Sequence, residues 1–185
     1  FERLIDHPQW IEKVKHFVGG EGTFDYNHGP LFIDENFANF RVPGEAIGIH
    51  SGGHSAAKRN QFRYHNGCFM CGQINILIAL TDIYEGDGGT MLIPGSHKSN
   101  FECPEYVTMD DEPPTVRNVS VNAGDIIIFL PNTRHAGRRW THLGYPRMTV
   151  FLRWMYAKQF HHADSANWFP FEEHKDQIPL ALYQL

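Results

Sequence analysis

From residue 22 onward, apolar and polar positions alternate with a period of two, in short runs separated by glycine, proline, asparagine and aspartate. The runs are GTFDY, GPLFI, EAIGIH, QINILIALT, GTMLIP, TVRNVSV, DIIIFLP and RMTVFLRWMY, and each predicts a strand. Ahead of them the period is helical. Trp10, Ile11, Val14, Phe17 and Val18 fall on one stripe, Asp6 offers an N-cap, Pro8 fits a first turn, and Gly19 and Gly20 end the pattern. No helical stretch recurs between the strands and no internal repeat is visible, which argues against a parallel βαβ architecture. The pattern therefore predicts an all-β core, a sandwich or barrel, with flanking helices. The tail from Trp168 to Leu185 reads as a helical or irregular segment closing one end.

Two of the runs put polar side chains where a plain core would not take them. In QINILIALT, Gln73, Asn75, Leu77, Ala79 and Thr81 share one face, and Ile74, Ile76, Ile78 and Leu80 the other. In RMTVFLRWMY, Arg147, Thr149, Phe151 and Arg153 alternate with Met148, Val150, Leu152 and Trp154. A barrel holding a polar ligand produces both patterns, and so does a sheet with one solvated face.

The chain has 185 residues and a mass of 21.3 kDa, enough for one domain with a sizeable core, read here as residues 1–185. It opens at FERLIDHP rather than at a methionine, which leaves room for a preceding segment. A formal charge of -5 and a pI near 6.2 argue against nucleic acid or a membrane surface as partner, since both reward a clustered positive face. The longest apolar run, INILIAL, is far shorter than the ~20 residues that span a bilayer, and no signal pattern opens the chain. A soluble, cytoplasmic protein is expected. Cys68 and Cys71 form the only CxxC; with Cys103 as the sole other cysteine, no second pair completes a zinc site, and reduced thiols are the plainer reading.

Histidine is the informative residue, with twelve copies, most of them structural or exposed. Position selects two. His50 ends a strand just before Gly52 and Gly53, and His135 follows GDIIIFLPNTR, a turn leading into an apolar strand. Strand ends at a barrel mouth are where metal ligands converge.

At this point the sequence resembles a known family. DGGTMLIPGSHKSNF is similar to the signature turn of the phytanoyl-CoA dioxygenase family, and AGDIIIFLPNTRHAGRRWTHLGYPRMTVFLRWMY to its C-terminal core. The resemblance spans about residues 45–156. It implies a double-stranded β-helix, the cupin-like jelly roll, using Fe(II), 2-oxoglutarate and oxygen, with His135 as the distal iron ligand. It also implies that Arg147 binds the far carboxylate of 2-oxoglutarate, and a guanidinium that forks onto a carboxylate explains an inward-facing arginine.

The sequence departs from that family at the first ligand. The family's facial triad is His-x-Asp plus the distal His, leaving three positions open on the metal. Here His50 stands at the expected strand end, but two residues on lies Gly52. His65 is an alternative proximal ligand, yet it is followed by Gly67 at the same spacing. The His-x-Asp triplets, His162 to Asp164 and His174 to Asp176, both come after His135, against the family's order. Three readings stay open. Gly52 leaves a coordination position for chloride, as in the related halogenases; a distant acid reaches in, with Asp82, Glu85 or Asp87 as candidates; or the iron site is lost and a non-catalytic cupin-type binding module remains. A tight turn is the bland use of the same glycines.

Asn75 and Gln73 are candidates to hydrogen-bond the cosubstrate, because a buried amide needs partners. Arg134, Arg138 and Arg139 sit where they would attract an anionic substrate, while His97 reads as a turn residue beside Pro94 and Gly95. The leading expectation is a non-haem Fe(II)/2-oxoglutarate-dependent oxygenase that hydroxylates a small molecule. A halogenase on the same scaffold and a ligand-binding module are the alternatives.

Overall fold

The computed structural model describes residues 2–18, 31–52, 60, 62–99, 101, 103 and 115–155. Ten strands are present among them: β1 (Phe32–Arg41), β2 (Ile47–His50), β3 (Phe62–His65), β4 (Cys68–Cys71), β5 (Gln73–Ala79), β6 (Thr90–Leu92), β7 (Arg117–Val119), β8 (Ile126–Phe129), β9 (His135–Gly137) and β10 (Arg147–Met155). One antiparallel sheet has the order β1-β10-β5-β8 and a second the order β2-β9-β6-β7, with β3 and β4 as a separate hairpin. The chain thus passes back and forth between two sheets around one interior, which is the jelly roll of the cupin fold.

The alternation of β5 assigns its faces as the sequence predicts. Ile74, Ile76 and Ile78 join Val150, Leu152 and Trp154 of β10 on the outer face. The helix α1 (Ile11–Val18) covers that face with Val14 and Val18, and Trp10 from the preceding turn completes the cluster. The helix starts later than Asp6 implies: the amides of Trp10 and Ile11 both donate to the His7 carbonyl, so a turn holds Pro8 and Trp10 ahead of it. Each fully buried aliphatic side chain here contributes about 1.5–3 kcal/mol. Ile76 has no exposed surface, so Ile76→Ala should cost about 2–5 kcal/mol, read as a lower urea midpoint with unchanged slope.

The inner face is layered by register. Arg41 of β1 lies opposite Arg147, Asn39 opposite Thr149, Phe37 opposite Phe151, and Glu35 opposite Arg153. On the other side of β10, Ala79, Leu77 and Asn75 oppose Thr149, Phe151 and Arg153. Leu77, Ile127, Phe129 and Phe151 form an apolar plug with Leu92 and Val119 from the second sheet. Along β10, Arg147 and its partner Arg41 precede this cluster, and Arg153 and its partner Asn75 follow it.

The alternation missed three features, one of them the short strand β9, which no run covers. β1 runs on through DENFANFR, where solvent-side Asn36, Ala38 and Phe40 hide the strand period. The β3–β4 hairpin turns at Asn66 and Gly67, both at positive φ (50° and 81°), as a two-residue hairpin turn requires. The GTFDY run and the tail from Trp168 lie outside the described residues. Among the described residues no helix is long and apolar enough to cross a membrane.

Candidate active site

His50, the last residue of β2, lies directly opposite His135, the first of β9. Their ring centroids are 4.1 Å apart with the planes at 54°. His50 Nδ1 is 2.8 Å from the Gly48 carbonyl oxygen, and His135 Nδ1 is 2.7 Å from that of Thr133. A ring nitrogen so close to a carbonyl carries the proton and donates it, so each Nε2 keeps its lone pair. That tautomer, fixed by an outer carbonyl, is the one metal ligation uses. His135 is buried edge-on against Phe129, with centroids 4.7 Å apart. Burial first, then the charge of His50, push its pKa down to about 4, so the imidazole is neutral at physiological pH.

The PGSHK turn explains how His135 is held. Gly95, at φ 82°, opens a short 3-10 turn over Ser96–Lys98. Ser96 Oγ accepts from the Arg134 amide at 2.8 Å, the His97 carbonyl accepts from Asn132 Nδ2 at 3.1 Å, and Ile93 N donates to the Arg134 carbonyl at 3.0 Å. The signature turn thus grips the loop that delivers His135. His97 itself packs its ring against Phe62 and stays off the His50–His135 pair.

Arg147 enters the interior from the opposite sheet. It is 2% exposed, its Nη2 donates to Thr90 Oγ1 at 2.8 Å, and its Nε has no partner. Burial, then the neighbouring Arg41, lower its pKa to about 10, which still leaves it charged. Thr90 pairs with Gly137, and Gly137 is two residues beyond His135 in β9. The guanidinium therefore stands about 7 Å along the strand from the His135 position. Thr149 Oγ1 and Asn75 Oδ1, both buried, have no hydrogen-bond partner either.

Arg41 was not anticipated. It is buried, and its guanidinium crosses to the second sheet where a side chain on Gly137 would be: a Cβ there would meet Arg41 Nη1, Cζ and Nη2 at 1.9, 2.8 and 2.9 Å. Thr90, Thr149 and Asn60 were missed as well.

The remaining candidates fall as follows. Gln73 is buried and spends its Nε2 on Asp34 at 2.7 Å, leaving Asn75 as the amide with an uncommitted oxygen. Arg153 pairs with Glu35 and lies over the Phe37 and Phe151 rings. His65 is exposed at the end of β3, opposite Cys68, and does not join the His50–His135 pair. Asp82 accepts from the Ala123 amide and the Tyr84 hydroxyl, Asp87 caps the Tyr84 amide, and Glu85 is exposed. Among the described residues no third His, Cys, Asp or Glu completes a metal-sized cluster. The triplets at 162–164 and 174–176 lie outside the described residues. Cys71 is buried with its thiol donating to the Phe17 carbonyl, and burial raises its pKa to about 12, which leaves it inert. Arg134 and Arg139 donate to the Phe101 and Gly44 carbonyls.

The position two beyond His50 is filled from elsewhere. Gly52 donates its amide to the Pro131 carbonyl at 2.7 Å and accepts from Asn60 Nδ2 at 2.7 Å. A Cβ on Gly52 would lie 2.7 Å from that Nδ2 and 3.0 Å from Pro131 Cβ. Asn60 is buried, and its Oδ1 has no partner.

A two-sheet jelly roll with paired imidazoles at one strand end and a buried guanidinium from the facing sheet defines the class of cupin-fold proteins. The chain belongs to the phytanoyl-CoA dioxygenase (PhyH) family, whose model matches residues 1–148. It is 28% identical over 135 residues to the dioxygenase cnsJ of Penicillium expansum, covering 69% of this chain and 35% of that protein. To the dioxygenase cdmD of Talaromyces verruculosus it is 30% identical over 109 residues, 58% of this chain and 34% of the relative. The chain thus spans about a third of the length of these curated relatives. In fold it is similar to HygX from Streptomyces hygroscopicus with nickel and 2-oxoglutarate bound, at a TM-score of 0.69 and 24% identity, covering 84% of this chain and 64% of HygX.

Proposed function

We propose that this protein is an Fe(II)/2-oxoglutarate-dependent oxygenase that hydroxylates a small-molecule substrate. The observation that carries the reading is the His50–His135 pair, with both Nδ1 atoms tied to carbonyls, set one dicarboxylate length from Arg147. The donor set fits the metal: two imidazoles, each with Nδ1 tied to a carbonyl, suit Fe(II) and would leave positions for a 2-oxo acid and oxygen. The buried, unpartnered atoms of Arg147, Arg41, Thr149 and Asn75 fit a polar ligand between the sheets. Named dioxygenase relatives and the HygX complex with nickel and 2-oxoglutarate support the same reading.

His50 and His135 hold the metal, Arg147 binds the distal carboxylate of 2-oxoglutarate, and Thr90 orients the Arg147 fork. Bound together, iron and 2-oxoglutarate supply oxygen activation coupled to decarboxylation to succinate. The Phe37, Phe129 and Phe151 rings pack together in the interior, and apolar surroundings strengthen a guanidinium–carboxylate contact. Exposed Arg139 at the rim supports an anionic substrate, and the free Cys71 and Cys103 thiols support a cytoplasmic setting. A halogenase reading rests on Gly52, but the Asn60 amide fills the space beside that residue and favours hydroxylation.

Anaerobic addition of Fe(II) and 2-oxoglutarate should give the visible charge-transfer band of a chelated 2-oxo acid. A folded, full-length sample that takes up no metal and shows no band would leave the cupin-type binding module as the answer.

A further inference from the structure

Arg41 and Arg147 are direct cross-strand partners, and both side chains are buried in the interior. Directly opposed residues of an antiparallel pair have Cβ atoms about 4.5–5.5 Å apart, and like charges there destabilise the sheet. Among the described residues the ion pairs are Lys15–Glu12 and Arg153–Glu35, so neither guanidinium has one. Glu45 attracts Arg41 only from a distance; its Oε2 accepts from the Val42 amide at 2.9 Å on the exposed side. Arg41 Nη1 and Arg147 Nε lack hydrogen-bond partners, while Arg147 Nη2 is fixed on Thr90. Both guanidiniums reach the Thr90–Gly137 pair of the second sheet, and Gly137 leaves the room that Arg41 occupies. Two desolvated cations side by side, each with an unsatisfied N–H, make a site for an anion that contacts both.

We propose that Arg41 is a second carboxylate-binding residue, forming with Arg147 a two-guanidinium clamp that makes the cosubstrate site specific for a 2-oxo acid with a distal carboxylate. The inference rests on the oxygenase reading above. The clamp also makes the empty site self-repelling, so ligand binding and stability are linked.

The test is Arg41→Met, which keeps the apolar stem and removes the charge. Zinc-loaded protein is titrated calorimetrically with 2-oxoglutarate and with 2-oxobutyrate, which lacks the distal carboxylate. The variant should lose about 10- to 150-fold in affinity for 2-oxoglutarate, the value of one charge-assisted hydrogen bond, and nothing for 2-oxobutyrate. Without ligand it should melt higher than wild type, because replacing an unpaired buried cation by an apolar chain relieves repulsion. A purely structural arginine gives the reverse, a lower melting temperature and unchanged discrimination, and that result overturns the proposal. Arg41→Lys, which keeps the charge and loses the fork, should lose affinity to an intermediate degree; full wild-type affinity would equally overturn the clamp. If wild type itself fails to prefer 2-oxoglutarate over 2-oxobutyrate, the oxygenase reading fails first, and the two failures are distinct.

Discussion

Arg147→Ala lowers the affinity for 2-oxoglutarate by about 30- to 5,000-fold, the equivalent of about 2–5 kcal/mol, while metal binding stays within a few-fold of wild type. The size follows from burial. Arg147 is among the largest fully buried side chains of the barrel, so its contact with a carboxylate is made away from water, where a charge-assisted bidentate pair keeps its strength. The selectivity follows from place: Arg147 belongs to β10, whereas His50 and His135 are held by β2, β9 and the Ser96 turn. Competitive zinc titration and 2-oxoglutarate calorimetry on the same samples separate the two effects. The apo variant should not be destabilised in proportion, because removing Arg147 also removes its repulsion with Arg41. Unchanged cosubstrate affinity would transfer the distal carboxylate to Arg41 alone. Arg153, on the same face further along β10, is already paired with Glu35.

The barrel was legible in the sequence because alternation is enforced by burial on one face, and β5 and β10 bury both faces against different partners. Ile74, Ile76 and Ile78 need the helix, and Asn75 and Leu77 face the interior, so the two halves of the pattern carry separate information. His50, His135 and Arg147 were legible for another reason: strand ends and an arginine on an inward face break an otherwise apolar rule. What stayed hidden depends on distance in sequence. Arg41 ends a polar run 106 positions before Arg147 (147 - 41 = 106), and only the β1–β10 register sets the two side by side. Thr90 reads as an ordinary strand threonine until Arg147 bonds it. Asn60 gives no signal at all, since its role comes from filling space that Gly52 leaves, and a glycine does not say what will fill it.

That pair sets the last prediction. If the Asn60 amide takes the place a carboxylate would hold beside His50, chloride should leave the Fe(II)/2-oxoglutarate spectrum of the wild-type protein unchanged. Asn60→Ala removes the amide, opens the space beside Gly52, and should make the same spectrum respond to chloride. Gly52→Asp alone meets Asn60 Nδ2 at 2.7 Å and Pro131 Cβ at 3.0 Å, so the flexible amide must move before the new carboxylate settles. Combining Gly52→Asp with Asn60→Ala removes that obstacle. A carboxylate two residues beyond His50 then joins the two imidazoles, and zinc affinity should rise by at least the about 10- to 100-fold that outer-shell partners are worth. A chloride response in the unmodified protein would show that Asn60 stands clear of the metal, and the halogenase reading would gain. A double variant with unchanged metal affinity would show that Gly52 does not face the metal. The assignment of His50 would fall with it, and exposed His65 would become the imidazole to substitute next.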